Sequence, residues 1–141
     1  MNKMFVRFSA VSENESFART VISGFLLPKN PTVNDLSDVK TAVSEAVTNS
    51  VVHAYPDGLG DIEMSSWYDD NEIHIIVKDY GVGISNVKLA LEPFYSTKSS
   101  EERSGMGFTV MNSFMDRLEV TSKPFQGVSV HMVKRIAENK E

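Results

Sequence analysis

An α+β domain in two layers is predicted, with helices on one face of a mostly antiparallel mixed sheet. Three observations lead there. Val39, Ala42, Val43, Ala46, Val47, Ser50, Val51 and Ala54 recur at helical spacing, which marks one long amphipathic helix. Two pairs of strand-like runs, 61–68 with 72–79 and 118–122 with 127–134, are joined by short turns. The length of 141 residues and the hydrophobic content of 41% suit a single core, so 1–141 is read as one domain.

The elements follow in chain order. Met4, Val6 and Phe8 alternate with Phe5 and Arg7, giving a first strand over 4–8. Ser12 is a candidate N-cap for a helix through Phe17, Val21, Ile22 and Phe25, which Pro28 and Pro31 close off. The long second helix takes Ser37 or Asp38 as its cap and ends at Tyr55-Pro56-Asp57-Gly58. Asp69-Asp70-Asn71 turns the first hairpin. In its second strand Ile73, Ile75 and Val77 share one face, while His74, Ile76 and Lys78 share the other. Residues 81–107 are rich in Gly, Ser and charge, with one helical hint at 87–91. A stretch that long with little regular structure is often a lid, and a lid is expected at about 83–106. A helix over 108–114 comes next, and Pro124-Phe125-Gln126 turns the last hairpin.

Composition excludes several classes of function. A net charge of −5 argues against a nucleic-acid surface, and the basic pair Lys134-Arg135 is diluted by Glu138 and Glu141. The absence of cysteine removes disulfides, thiolate metal sites and cysteine nucleophiles. Met1 to Phe8 holds no apolar signal core, and no run approaches ~20 apolar residues, so a cytoplasmic protein without membrane contact is expected. His53, His74 and His131 lack zinc-ligand spacing, and the latter two read as structural strand residues. Neither a Gly-x-x-x-x-Gly-Lys-Ser/Thr phosphate loop nor a His-Arg-Asp or Asp-Phe-Gly signature is present.

The residues that could carry chemistry fall in three places. Glu45, Asn49 and His53 are four apart on the long helix, so they form a line at the edge of its apolar stripe. There a Glu can serve as general base and an Asn as a neutral oxygen ligand for Mg2+, although the line is also an ordinary polar flank of an amphipathic helix. Asp79 ends a strand directly before Tyr80-Gly81-Val82-Gly83-Ile84. A strand-end carboxylate can accept from an exocyclic amine, and glycines permit close approach of a ligand. Gly105-Met106-Gly107-Phe108 opens a helix, whose N-terminal amides favour phosphate. Ser104 adds a hydroxyl, Arg103 a fixed positive charge, and Thr97 and Lys98 lie in the same loop.

Each of these is weakly specific, but the ordered set resembles the GHKL, or Bergerat, ATP-binding fold shared by gyrase, histidine kinases and MutL. Glu45 to Asn49 resembles its N-box, Asp79 to Ile84 its first glycine box, and Pro93-Phe94-Tyr95-Ser96-Thr97-Lys98 its F-box region. Gly105-Met106-Gly107 resembles the second glycine box and Gly127-Val128-Ser129 the final one, so the likeness spans about 36–134. With no phosphoacceptor helix pair before it and no transducer domain after it, the chain is most similar to the small anti-sigma-factor serine kinases. That resemblance implies ATP or ADP with Mg2+, a sigma factor held in the ATP-bound state, and an anti-anti-sigma partner phosphorylated on serine. It implies a homodimer and no direct nucleic-acid contact. It further implies that Glu45 prepares the partner serine, Asn49 binds Mg2+, Asp79 reads adenine and Arg103 touches the γ-phosphate. His53, Gly81, Gly83, Ile84, Thr97, Lys98, Ser104, Gly105, Met106, Gly107, Phe108 and Ser129 would line the nucleotide, and Arg19 would face a partner.

Overall fold

The computed structural model describes residues 1–84, 86–91 and 107–136. In order these form β1 (Lys3–Ser9), α1 (Asn14–Leu26), a short 3-10 turn (Leu27–Lys29), α2 (Val33–His53), β2 (Asp61–Asp69), β3 (Glu72–Asp79), α3 (Val87–Ala90), α4 (Gly107–Phe114), β4 (Arg117–Ser122) and β5 (Val128–Arg135). The strands make one sheet in the order β1-β2-β3-β5-β4. Every pairing is antiparallel, so the sheet is not mixed among the described residues. Both predicted hairpins are present. What hairpin reasoning alone does not supply is the pairing of β3 with β5, which carries the chain from β3 across to the far edge before it returns.

Alternation places the core. Phe8, Ile62, Met64, Ile73, Ile75, Val77 and Met132 point to one face of the sheet and are buried there. Ile22 and Leu26 of α1 and Val39, Val43 and Val47 of α2 pack onto that face and are fully buried. At roughly 1.5–3 kcal/mol for each buried aliphatic side chain, this layer contact is the main favourable term. α2 lies between α1 and α4, which makes it the central element of the helical layer.

Two caps differ from expectation. α2 starts earlier than Ser37 or Asp38, because Thr32 caps it and accepts from the Asp35 N–H at 3.1 Å. Asn30, with φ 49°, ends the preceding turn in the left-handed region and frees the chain to restart at once. Ser12 does not cap α1: Glu13 takes the N-cap position with no side-chain cap bond, and Ser12 lies one residue before it, its carbonyl accepting from the Glu15 N–H at 3.1 Å.

The β4–β5 hairpin turns at Pro124-Phe125 with a Gln126 N–H to Lys123 carbonyl bond of 3.0 Å. Phe125 takes φ 62° there while 84% of it stays exposed, a conformation that favours Gly or Asn. We predict that Phe125→Asn stabilises the fold by about 0.5–1 kcal/mol through relief of that strain. Urea denaturation reads the change, and a loss of stability would show that the ring contributes packing that outweighs the strain.

Candidate functional site

Asp79 is the last residue of β3, and the alternation that buries Ile73, Ile75 and Val77 buries it as well, to 1% exposure. A carboxylate in that position is costly unless donors surround it. The Ser50 hydroxyl of α2 donates to Oδ2 at 2.7 Å, and the Gly81 and Val128 N–H groups both donate to Oδ1 at 3.1 Å. Helix, glycine loop and the start of β5 therefore converge on one side chain. Oδ2 accepts one bond here and retains capacity for a second donor.

The loop after Asp79 is held on several sides. At Gly81 a Cβ would lie 2.0 Å from the Ala54 carbonyl at the end of α2, so only glycine allows that approach. The same carbonyl accepts from Val82 at 2.8 Å. Gly127, at φ +83°, likewise brings the start of β5 against the Asp79 carbonyl, where a Cβ would sit at 2.0 Å. Gly83 packs on the Lys123 carbonyl. Ile84 donates to the Ser122 hydroxyl at 2.8 Å, and that hydroxyl donates to the Gly127 carbonyl at 2.6 Å. Tyr55 fixes the near end, accepting from the Tyr80 N–H at 2.8 Å and donating to the Asp61 carbonyl at 2.6 Å. Burial pushes its phenol above the ordinary value, which keeps the donor proton in place at neutral pH.

Glu45, Asn49 and His53 lie half-buried along α2, as their spacing requires. A Cβ on Gly107 would meet both Oδ1 and Nδ2 of Asn49 at 2.9 Å, so the Asn49 carboxamide rests on the first residue of α4. Phe108 follows and packs half-buried against the core. Arg19 from α1 and Glu45 from α2 line one groove of about 350 Å³, together with Leu36, Lys40, Thr41 and Ser44. Arg19 Nη1 donates to the Ser44 hydroxyl at 2.9 Å, which orients the guanidinium.

The structure thus brings Asn49, Asp79, Gly81, Gly83, Ile84 and Gly107 around the end of α2, and sets Arg19 beside Glu45. It does not bring Ser129 there. Ser129 pairs with Lys78 and Thr121 and points to the helix-free face, one step out of phase with Val128 and Val130. Val128 is the residue beside Asp79. The alternation of Val128, Val130 and Met132 carried that signal in the sequence. Ser50, which holds Asp79, was also missed, because a small hydroxyl on an apolar stripe passes for core. Thr97, Lys98, Arg103, Ser104, Gly105 and Met106 lie outside the described residues.

Comparison with known proteins places this geometry. Residues 8–134 match the histidine kinase-like ATPase domain family. An anti-sigma F factor of Caldanaerobacter subterraneus is 49% identical over 139 residues, covering 99% of this chain and 97% of that protein. One from Geobacillus thermodenitrificans is 46% identical over 142 residues, covering 99% and 96%. Among solved structures, the RsbU and RsbW domains of a Mycobacterium tuberculosis protein align with TM-score 0.71 at 14% identity, over 98% of this chain and 33% of that one. The catalytic domain of the histidine kinase ThkA aligns with TM-score 0.59 at 13% identity, over 96% and 99%. The chain belongs to the anti-sigma F factor family, on a histidine kinase-like ATPase domain.

Ser50→Ala removes a hydrogen bond to a buried carboxylate, and we predict a loss of about 1.5–3 kcal/mol in thermal or urea unfolding. A loss under about 0.5 kcal/mol would mean that solvent or Asp79 itself rearranges to replace the donor.

Proposed function

We propose that this protein binds Mg-ATP at the end of α2, holds a sigma factor in that state, and phosphorylates a serine of an anti-anti-sigma partner. The observation that supports it most is the use of two consecutive α2 residues. Asn49 rests on the start of α4, where phosphate would be held, and Ser50 grips Asp79, where a base would be read. A ligand with a phosphate end and an amine-bearing base end fits that division.

On this reading Asp79 Oδ2 accepts from the adenine amine, and Gly81 and Gly83 let the base approach the loop backbone. The amide oxygen of Asn49 is a neutral donor at the phosphate end, which suits Mg2+. When bound, that ion neutralises phosphate charge alongside phosphate oxygens. Phosphoryl transfer depends on alignment and charge neutralisation more than on covalent help. Glu45 lies one turn before Asn49 and lines the groove with Arg19, so a partner seated there has its serine beside a carboxylate. Glu45 takes the serine proton as the serine oxygen bonds to the γ-phosphorus and the bond to the bridging oxygen breaks, leaving ADP. Arg19, held by Ser44, faces that partner. Arg103, Thr97, Lys98, Ser104, Gly105 and Met106, within a lid at about 83–106 on a single domain, complete the nucleotide site in this proposal together with His53 of α2.

The wider assignments belong to the same reading. β1 is an edge strand with Phe5 61% exposed, which supports pairing with a second copy into a homodimer. No helix among the described residues is long and apolar enough to cross a membrane, which is compatible with work on a sigma factor in the cytoplasm.

Two substitutions separate the roles. Asn49→Ala should weaken Mg-ATP binding at least tenfold in calorimetry, and unchanged affinity would remove Asn49 from the metal site. Glu45→Ala should retain ATP affinity and lower transfer by about 10²–10⁴, read by intact mass of the anti-anti-sigma protein after incubation with Mg-ATP. Transfer at the normal rate would remove Glu45 as base. No phosphate added by the unsubstituted protein, with ATP bound, would favour a nucleotide-dependent sigma-binding module without turnover.

A further inference from the structure

The sheet face away from the helices carries a cluster that the nucleotide reading does not use. His74 on β3 and His131 on β5 set Nδ1 and Nε2 3.0 Å apart, a hydrogen-bond distance between two imidazoles. Trp67 of β2 stacks on His74, with centroids 4.9 Å apart and planes at 10°, and also tilts against His131 at 5.7 Å. His74 Nε2 is buried without a hydrogen-bond partner among the described residues, and Glu72 Oε1 lies 4.0 Å from it. Glu72 is itself bonded by Arg117 at 3.1 and 3.3 Å, which lowers its carboxyl below the usual range and keeps it ionised.

We propose that His74 and His131 act as one proton-sharing clasp between β3 and β5, which takes a first proton with its N–H···N bond intact and parts when it takes a second. Geometry fixes the order of events. A ring–ring bond at this distance requires one nitrogen protonated and the other bare. Whichever ring donates, its outer nitrogen (Nε2 of His74 or Nδ1 of His131) is bare, so the first added proton has a place there and leaves the shared N–H···N bond untouched. A second must sit on the accepting nitrogen of that shared bond itself. Two N–H groups then face each other, the bond is lost, and the rings separate, carrying the Trp67 stack with them.

The surroundings act in the same sense. Burial first, and the neighbouring His74 second, push His131 below the ordinary histidine value; Glu119 on β4 opposes this and Arg117 adds to it. The other charged groups on this face are Lys3 of β1, opposite Trp67, Arg7 of β1 with its partners Asp61 and Glu63 on β2, Asp69 of β2, Lys78 of β3 and Arg135 of β5. Lys134 is turned the other way, toward the Phe114 carbonyl and Asp38. Because the folded protein takes this proton less readily than the unfolded chain, the clasp contributes fully above about pH 6.5, and its contribution is lost as pH falls below that.

The test is a ring-nitrogen NMR titration of the intact protein from pH 8 to 4.5, read beside the emission of Trp67, the sole tryptophan. The unsubstituted protein should show two steps more than about one pH unit apart, with the Trp67 emission change following the lower one. His131→Gln should leave a single step for His74 and abolish the lower emission change. His74→Gln should raise the His131 midpoint toward the ordinary value. The melting temperature should fall between pH 7 and 5 in the unsubstituted protein and fall less in His131→Gln. Two independent titrations, each unmoved by loss of the other ring, would overturn the proposal. None of these readouts involves nucleotide or partner.

Discussion

The end of β3 is organised around one buried carboxylate. Asp79 has almost no contact with solvent, so its charge must be met by donors from the protein. Those donors come from segments far apart in sequence: a helix hydroxyl, the glycine loop and the first amide of β5. Each can reach Asp79 only if its own element is correctly placed. Gly81 lets the loop fold back on the end of α2, and Gly127 lets β5 begin against the Asp79 carbonyl. The pairing of β3 with β5, the least local in the sheet, is thereby tied to the site that the sheet supports.

α2 explains why site and core cannot be separated. Its apolar stripe carries the packing of both α1 and α4 on the sheet, and its flank carries Glu45, Asn49 and His53. Ser50 sits on the boundary and belongs to both. A helix locked by its core face presents its flank with little freedom, which is what a phosphoryl-transfer site needs from the residues that position charge. The groove between α1 and α2 extends that logic outward, with Ser44 steadying Arg19 beside Glu45.

Much of this was legible in the residues. The period of 3.6 in α2 and of 2 in β2 and β3 set the layers, and the four-residue spacing of Glu45, Asn49 and His53 set the candidate line. The glycines around Asp79 marked close approach without saying what was approached. Three things were hidden, the first by local backbone geometry and the others by contacts between distant elements. Thr32, not Ser37 or Asp38, caps α2, because a left-handed Asn30 allows an early restart that the apolar period does not report. Ser50 looked like core until a carboxylate from another element met it. Ser129 was taken by motif position, while the pleat of β5 turns it to the opposite face from Asp79. His74 and His131 were read as structural, yet their contact depends on β3–β5 register.

The most direct test of the central claim compares the calorimetric affinity of the protein for Mg-ATP and Mg-ITP. The two differ at the position where the base presents an amine or a carbonyl, and only the amine can donate to Asp79. If Asp79 reads the base, ATP should bind at least tenfold more tightly, since a carbonyl would face the carboxylate with no proton between them. Equal affinities would contradict that assignment and leave Asp79 as the structural junction of α2, β3 and β5 alone.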